Sequence, residues 1–235
     1  AHGWGDIFVL GGIVPVALAL LVAWKLPETR PTGDETAFDR NTLTALFADG
    51  REGATLALWI SFVLTNIVVY LLLNWLPTLA TAKGLGAASA LFTSVGFNLG
   101  GIAGALLLAM AVDRMGLRRP LVLGYLGLVA VMLALAAAHG FPLIVLLSAA
   151  SGFFVLGVQY ILYGMTPIYY PAETLAATAG AAIGVGRIGS ILGPLVGGGL
   201  MSAGAGAVAF AMAPVALGAG AAALLLTVVG QAYPD

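Results

Sequence analysis

An arginine within a long apolar run is the sharpest chemical feature of this 235-residue sequence. Arg187 is the one charge well inside any such run, and an arginine at the centre of a membrane helix costs roughly 2.5–3.5 kcal/mol. It therefore needs water, a partner or an anion. No acidic residue lies at comparable depth. Two roles stay open: a structural one, binding carbonyl groups or a carboxylate elsewhere, and recognition of an anionic substrate. A planar guanidinium suits a carboxylate, because it offers two parallel charge-assisted hydrogen bonds. Other polar residues recur at helical spacing. Asn66, Tyr70 and Asn74 lie four apart and share one face, with Ser61 and Thr65 beside it. Ser94 and Asn98, and Gln159 and Tyr163, repeat that spacing, with Ser148, Ser151 and Gly152 a turn or two before Gln159. Hydrogen bonding between helices explains any one of these residues. Four polar-faced runs together suggest a lined cavity.

Parts for catalysis are missing. The two histidines, His2 and His139, fall near ends of apolar runs, and no His or carboxylate cluster has ligand spacing. No metal, no cofactor and no enzymatic activity are expected. Gly184-Val-Gly186 resembles a phosphate-cradling loop only superficially: no strand precedes it, and no Gly-Lys-Ser/Thr follows.

The elements that must position these residues follow from composition. Hydrophobic residues make up 61% of the chain and charged residues 8%, too few to coat a soluble particle. With a net charge of −1 and no basic stripe, nucleic acid is not a partner. The lipid bilayer is. Crossing it takes about 20 apolar residues, and seven segments qualify: 7–26, 54–76, 88–112, 119–138, 141–165, 174–201 and 205–230. Pro27, Pro77, Pro120, Pro142, Pro167 and Pro171 lie near their ends. Ten of the 19 charged residues sit between Lys25 and Glu52, which marks 27–53 as an aqueous connection. Phe38, Leu43, Leu46 and Phe47 within it fit either a short interfacial helix or a solvated loop. Lys25, Arg30, Arg40, Arg51, Arg114, Arg118 and Arg119 fall on one side and only Lys83 on the other, so the first side is cytoplasmic.

The fourth and seventh spans offer little polarity and are expected to face lipid. Small-xxx-small pairs at Gly180/Gly184, Gly189/Gly193 and Gly193/Gly197 are expected to bring helices close. The segment Asn98–Leu106 aligns with Arg187–Leu195, with Gly100/Gly189, Ile102/Ile191, Gly104/Gly193 and Leu106/Leu195 identical. Either this is chance in a chain rich in Gly and Ala, or residues 54–230 are two inverted three-helix repeats. The chain starts at Ala1 without a signal peptide's basic region and with its first residue outside the cell, so a piece of a longer protein is expected.

These residues resemble the major facilitator superfamily, in particular its aromatic acid/proton symporter branch. Asp113-Arg-Met-Gly-Leu-Arg-Arg119 is similar to the superfamily's D-R-x-G-R-R signature after helix 8. Tyr170-Pro171, Gly184-Val-Gly-Arg-Ile-Gly189 and Gly193-Pro194 resemble the branch's helix 10–11 pattern. Asn74-Trp-Leu-Pro-Thr78 resembles the end of helix 7, and Gly3-Trp4, Gly11-Gly12 and Leu26-Pro-Glu-Thr29 the limits of helix 6. The resemblance implies an all-α, polytopic membrane helix bundle working by alternating access. Residues 1–26 would be helix 6, 27–53 the cytoplasmic linker, and 54–235 the C-terminal six-helix domain. The N-terminal half of the same transporter would then be the missing partner. It also implies gating by Asp113, Arg114, Gly116 and Arg118, and acid recognition by Arg187. Two positions depart from the pattern: Leu175 and Ala172 replace the Arg and Thr of Y-P-T-x-x-R, and Ala109 replaces a glycine before Asp113. Leu175 counts against an aromatic carboxylate. The helix 1 acidic motif for proton coupling is outside this chain.

The expected function is proton-coupled symport of small organic acids, aromatic carboxylates among them, across the bacterial inner membrane. Arg187, Asn66, Tyr70, Asn74, Asn98, Gln159 and Tyr163 are the expected substrate-binding residues. Two other readings stay open: a carrier of neutral metabolites or drugs with Arg187 structural, and a non-transporting membrane receptor or assembly subunit.

Overall fold

In the computed structural model, residues 4–25, 47, 52–169, 175–204 and 207–232 are described. The described residues are helical apart from short turns. The chain divides into two compact units, residues 1–39 and 40–235. The first holds α1 (Trp4–Lys25). The second holds α2 (Glu52–Ala82), α3 (Ala87–Met115), α4 (Arg118–Ala137), α5 (Phe141–Tyr169), α6 (Leu175–Ser202) and α7 (Ala207–Ala232). Long apolar runs become helices because hydrocarbon offers no partner for backbone N–H and C=O groups, and a helix satisfies them internally. Among the described residues, five helices, α2 to α6, are long and apolar enough to cross a membrane. Gly11–Lys25 of α1 and Met212–Leu226 of α7 are apolar as well. The expected 27–53 connection is cut short at its end, because Glu52 and Gly53 already belong to α2; Phe47 apart, the rest of it, with the expected interfacial helix, lies outside the described residues.

Short turns make successive helices antiparallel neighbours. The turn from α3 to α4 is only Gly116 and Leu117; Gly116 has φ 74°, where glycine carries no steric penalty, and its N–H closes the helix on the Val112 carbonyl at 3.0 Å. At the other end of the bundle, Lys83 Nζ donates to the carbonyls of Ala136 (2.8 Å) and Ala138 (3.0 Å). That places a cation on the unsatisfied carbonyls ending α4.

Packing inside the second unit has an internal symmetry. Helix α3 lies against α5, and α6 lies against α2; α4 contacts α5, and α7 contacts α2. Exchanging α2 with α5, α3 with α6 and α4 with α7 maps each pair onto another. The register agrees residue by residue. A Cβ added at Gly100 would strike the Ala149 carbonyl, and one at Gly189 the Val63 carbonyl. One added at Gly104 would strike the Phe153 carbonyl, and one at Gly193 the Ile67 carbonyl. Gly100 and Gly189 are 89 positions apart, as are Gly104 and Gly193, while their partners Ala149 and Val63 are 86 apart, as are Phe153 and Ile67. Chance identity in a glycine-rich chain would not by itself keep a constant offset on each side of two helix crossings. The inverted repeat is therefore real in the packing.

Several expectations need correction. Pro77 does not end its helix: α2 continues to Ala82. Gly180 and Gly184 are exposed with open space around them, so this pair makes no close contact; Gly186, Gly189, Gly193 and Gly197, with Gly198 more loosely, are the glycines of α6 that meet α2. Part of the polar inventory is packing, not lining. Ser148 and Ser151 are fully buried and donate to the carbonyls of Ile144 and Ser148 in their own helix. Ser61 is buried and bonds the Ala57 carbonyl, and Thr65 bonds the hydroxyl of the buried Tyr125 at 2.8 Å. Helices α4 and α7 present apolar outer faces, with Leu123, Leu126 and Leu133 exposed on one and Met212 and Leu226 on the other.

Candidate functional site

Helix α2 is the centre of the site. Asn66 and Tyr70 are one turn apart on it and reach different neighbours. Gln159 of α5 donates through Nε2 to Asn66 Oδ1 (3.0 Å) and to the Tyr163 hydroxyl (3.0 Å). Asn66 donates in turn to the Phe62 carbonyl at 2.9 Å. On the other side, Arg187 Nη1 of α6 donates to the Tyr70 hydroxyl at 3.0 Å. Asn66, Tyr70 and Arg187 lie near the middle of their helices, and Gln159 and Tyr163 in the second half of α5. The glycines of α6 permit the approach: a Cβ at Gly186 would come within 3.0 Å of Asn66 Nδ2, and one at Gly193 within 3.0 Å of Tyr70 Cβ. Trp75 Nε1 ties α2 to α6 a turn further on, through the Pro194 carbonyl at 3.1 Å.

Counting valences shows what the array can bind. Arginine has no acceptor, so the Tyr70 oxygen accepts from Arg187 and its own proton is available. The Tyr163 oxygen accepts from Gln159, leaving its proton available too. Both Nε2 hydrogens of Gln159 are engaged, and Oε1 is its remaining site. Among the described residues, no carboxylate pairs with Arg187, which is exposed. Its remaining N–H groups and the Tyr70 hydroxyl are donors beside a fixed positive charge, and the half-buried Tyr163 hydroxyl is a further donor on the Gln159 side of Asn66. An anion that accepts several hydrogen bonds complements them.

Aromatic rings border this polar group. Phe62 and Tyr163 lie 5.5 Å apart between ring centroids, and Tyr160 meets Tyr163 edge-on at 6.0 Å. Tyr160 is 55% exposed. Sequence reasoning missed Phe62 and Tyr160. Tyr160 stands three residues before Tyr163, off the i, i+4 spacing that links Gln159 to Tyr163.

Of the seven expected binding residues, five form these contacts: Asn66, Tyr70, Gln159, Tyr163 and Arg187. Asn74 is exposed one turn beyond Tyr70 and donates to the Tyr70 carbonyl at 2.7 Å. Asn98 is exposed on α3 and donates to its own helix at Ser94 (2.8 Å); no described contact brings it to the cluster.

Comparison with known proteins gives this arrangement its context. No family model matches the chain. A 3-(3-hydroxy-phenyl)propionate transporter of Escherichia coli K12 is 35% identical over 208 residues, covering 87% of this chain and 51% of the relative. A gallate transporter of Pseudomonas putida is 32% identical over 236 residues, covering 87% of this chain and 53% of the relative. A 4-hydroxybenzoate transporter of Pseudomonas aeruginosa is 28% identical over 237 residues, covering 86% and 52%. The chain is a homologue of bacterial aromatic-acid transporters. The resemblance to the aromatic acid branch of the major facilitator superfamily is thereby borne out. Its relatives are named transporters, not enzymes, and with its apolar helices this makes it a multi-pass protein of the bacterial inner membrane. The chain spans about half the length of the relatives it matches.

As in the expected signature, Asp113 and Arg114 fall in the last turn of α3, Gly116 in the α3–α4 turn, and Arg118 at the start of α4. All four are exposed, and among the described residues Asp113 forms no ion pair. Tyr170, Pro171 and Ala172 lie outside the described residues, as does the side chain of Leu175.

Proposed function

We propose that the chain supplies the C-terminal part of a proton-coupled transporter of aromatic carboxylates. Residues 1–26 correspond to helix 6, 27–53 to the cytoplasmic linker and 54–235 to the C-terminal domain, which works by alternating access with an N-terminal half. The observation that carries this reading is the exposed Arg187 guanidinium, bonded to the Tyr70 hydroxyl and paired with no carboxylate among the described residues, with Gln159 and Tyr163 linked to the same helix through Asn66. Arg187 and the Tyr70 hydroxyl take the substrate carboxylate. The rings of Tyr160 and Tyr163 meet the aromatic body, and Gln159 Oε1 accepts from a ring hydroxyl. A single arginine is enough for one carboxylate, so Leu175 at the second arginine position does not prevent this chemistry. That hydroxylated aromatic acids are named for the relatives supports the assignment. Neutral-metabolite transport leaves Arg187 only its structural bond to Tyr70 and gives its exposed charge no ligand. In this reading Asp113, Arg114, Gly116 and Arg118 form the cytoplasmic gate, protons are the coupling ion, and Asn74 and Asn98 line the path away from the direct contacts.

The test is uptake of a panel of radiolabelled acids by the full-length protein in proteoliposomes. Tyr70→Phe is expected to raise KM several-fold and Arg187→Ala to abolish saturable uptake, with both variants inserted at wild-type level. Uptake of an aromatic acid with unchanged KM in Arg187→Ala would overturn the assignment.

A further inference from the structure

An apolar seam runs between α4 and α7, away from the polar cluster. Leu121, Val122, Tyr125, Leu126 and Val129 of α4 and the small residues Ala219, Ala222 and Ala223 of α7, with Leu226, enclose a cavity of about 280 Å³. Its walls are apolar throughout, because the Tyr125 hydroxyl is turned inward to Thr65. Leu126 is 60% exposed, and Ala219 and Ala223 are exposed beside it, so the seam opens outward from the bundle. From Leu121 to Val129 it runs eight residues along α4, about 12 Å at the helical rise.

One end of the seam is charged. Arg118 precedes Leu121 and Val122 by three and four residues, and Arg119 precedes Val122 by three, so both arginines lie one turn below the groove on its own stripe. Both are exposed, and among the described residues neither forms an ion pair. The turn from Asp113 to Arg119 carries three arginines against one aspartate. Its basic excess places it on the cytoplasmic side, whose leaflet is rich in anionic lipid.

We propose that this seam holds an anionic phospholipid of the cytoplasmic leaflet, its phosphate at Arg118 and Arg119 and one acyl chain along the α4–α7 groove. Selectivity must come from the headgroup, since an alkyl chain leaves one apolar environment for another and gains only shape complementarity. The bound lipid would brace α4 just past the α3–α4 turn.

The experiment places the full-length protein in nanodiscs of phosphatidylcholine with traces of spin-labelled phosphatidylglycerol or phosphatidylcholine and reads relative association by electron paramagnetic resonance. Phosphatidylglycerol is expected to be preferred. Arg118→Gln with Arg119→Gln should cut that preference by about fivefold for each arginine removed. Ala223→Phe, which fills the groove and leaves the charges alone, should also reduce it. An unchanged preference in the arginine variant overturns the proposal. Loss in the arginine variant with none in Ala223→Phe overturns the seated lipid in favour of general surface attraction. A photo-crosslinking residue at Leu126, which is already exposed, reads the occupant without disturbing the fold: a phospholipid adduct supports the proposal, and a covalent dimer of the chain overturns it.

Discussion

Replacing Gly189 with alanine tests whether the α2–α6 contact sets the geometry of the site. The added Cβ would collide with the Val63 carbonyl oxygen and lie 2.8 Å from Asn66 Cβ and 3.0 Å from the Ile67 nitrogen. Carbon atoms rest at about 3.5–4.0 Å, so α6 must retreat from α2 by roughly 1 Å. Overpacking of this kind costs about 1–3 kcal/mol, against which alanine's helix propensity returns up to about 1 kcal/mol. Each kcal/mol corresponds to about 2–4 °C in Tm for a chain of this size. The retreat also stretches the 3.0 Å bond from Arg187 to Tyr70 beyond hydrogen-bonding range. A hydrogen bond to a charged group contributes about 1.5–3 kcal/mol, so KM for the acid should rise about tenfold or more. Thermal unfolding in detergent followed by tryptophan fluorescence reads the first effect, and proteoliposome uptake the second. Gly184→Ala is the control, because nothing lies within 4 Å of its added Cβ; it should leave Tm unchanged or slightly raised. If Gly189→Ala melts with the wild type and keeps its KM, the close approach of α2 and α6 is not what holds the site.

Thr65→Val and Tyr125→Phe should each destabilise by about 1 kcal/mol and together by less than their sum, since one buried hydrogen bond joins them; a thermal double-mutant cycle reads the coupling. Lys83→Met should lower Tm by a few degrees by stripping two contacts from the carbonyl end of α4, while uptake KM stays constant. Ser148→Ala should be nearly neutral in Tm and transport, because its hydroxyl serves only a carbonyl of its own helix. A large transport defect there would restore Ser148 to the cavity.

Helical spacing correctly grouped Asn66 with Tyr70 and Gln159 with Tyr163, because a single helix's geometry is local. It could not say that Asn66 meets Gln159 or that Tyr70 meets Arg187, which depends on how three helices are rotated about their axes. The same limit explains Ser61, Thr65 and Ser148. They share the spacing of lining residues, but Ser61 and Thr65 face a neighbouring helix, and Ser148 is spent on its own backbone. Asn98 aligns with Arg187 in the repeat, and the packing register confirms the correspondence. Equivalent positions in the two repeats nevertheless carry different chemistry, one with a charge bonded across helices and one with an amide turned onto its own helix.

What the sequence by itself determined is the set of apolar helices, the basic excess at one set of their ends and the isolated charge among them. Hydrocarbon leaves a backbone no alternative to the helix, and the unequal placement of Lys and Arg is readable residue by residue. Only the tertiary structure decided which glycines are contacts and which are idle. Gly180, Gly184, Gly189 and Gly193 look alike along one helix, but closeness belongs to the pair of helices, and α2 passes only the last two.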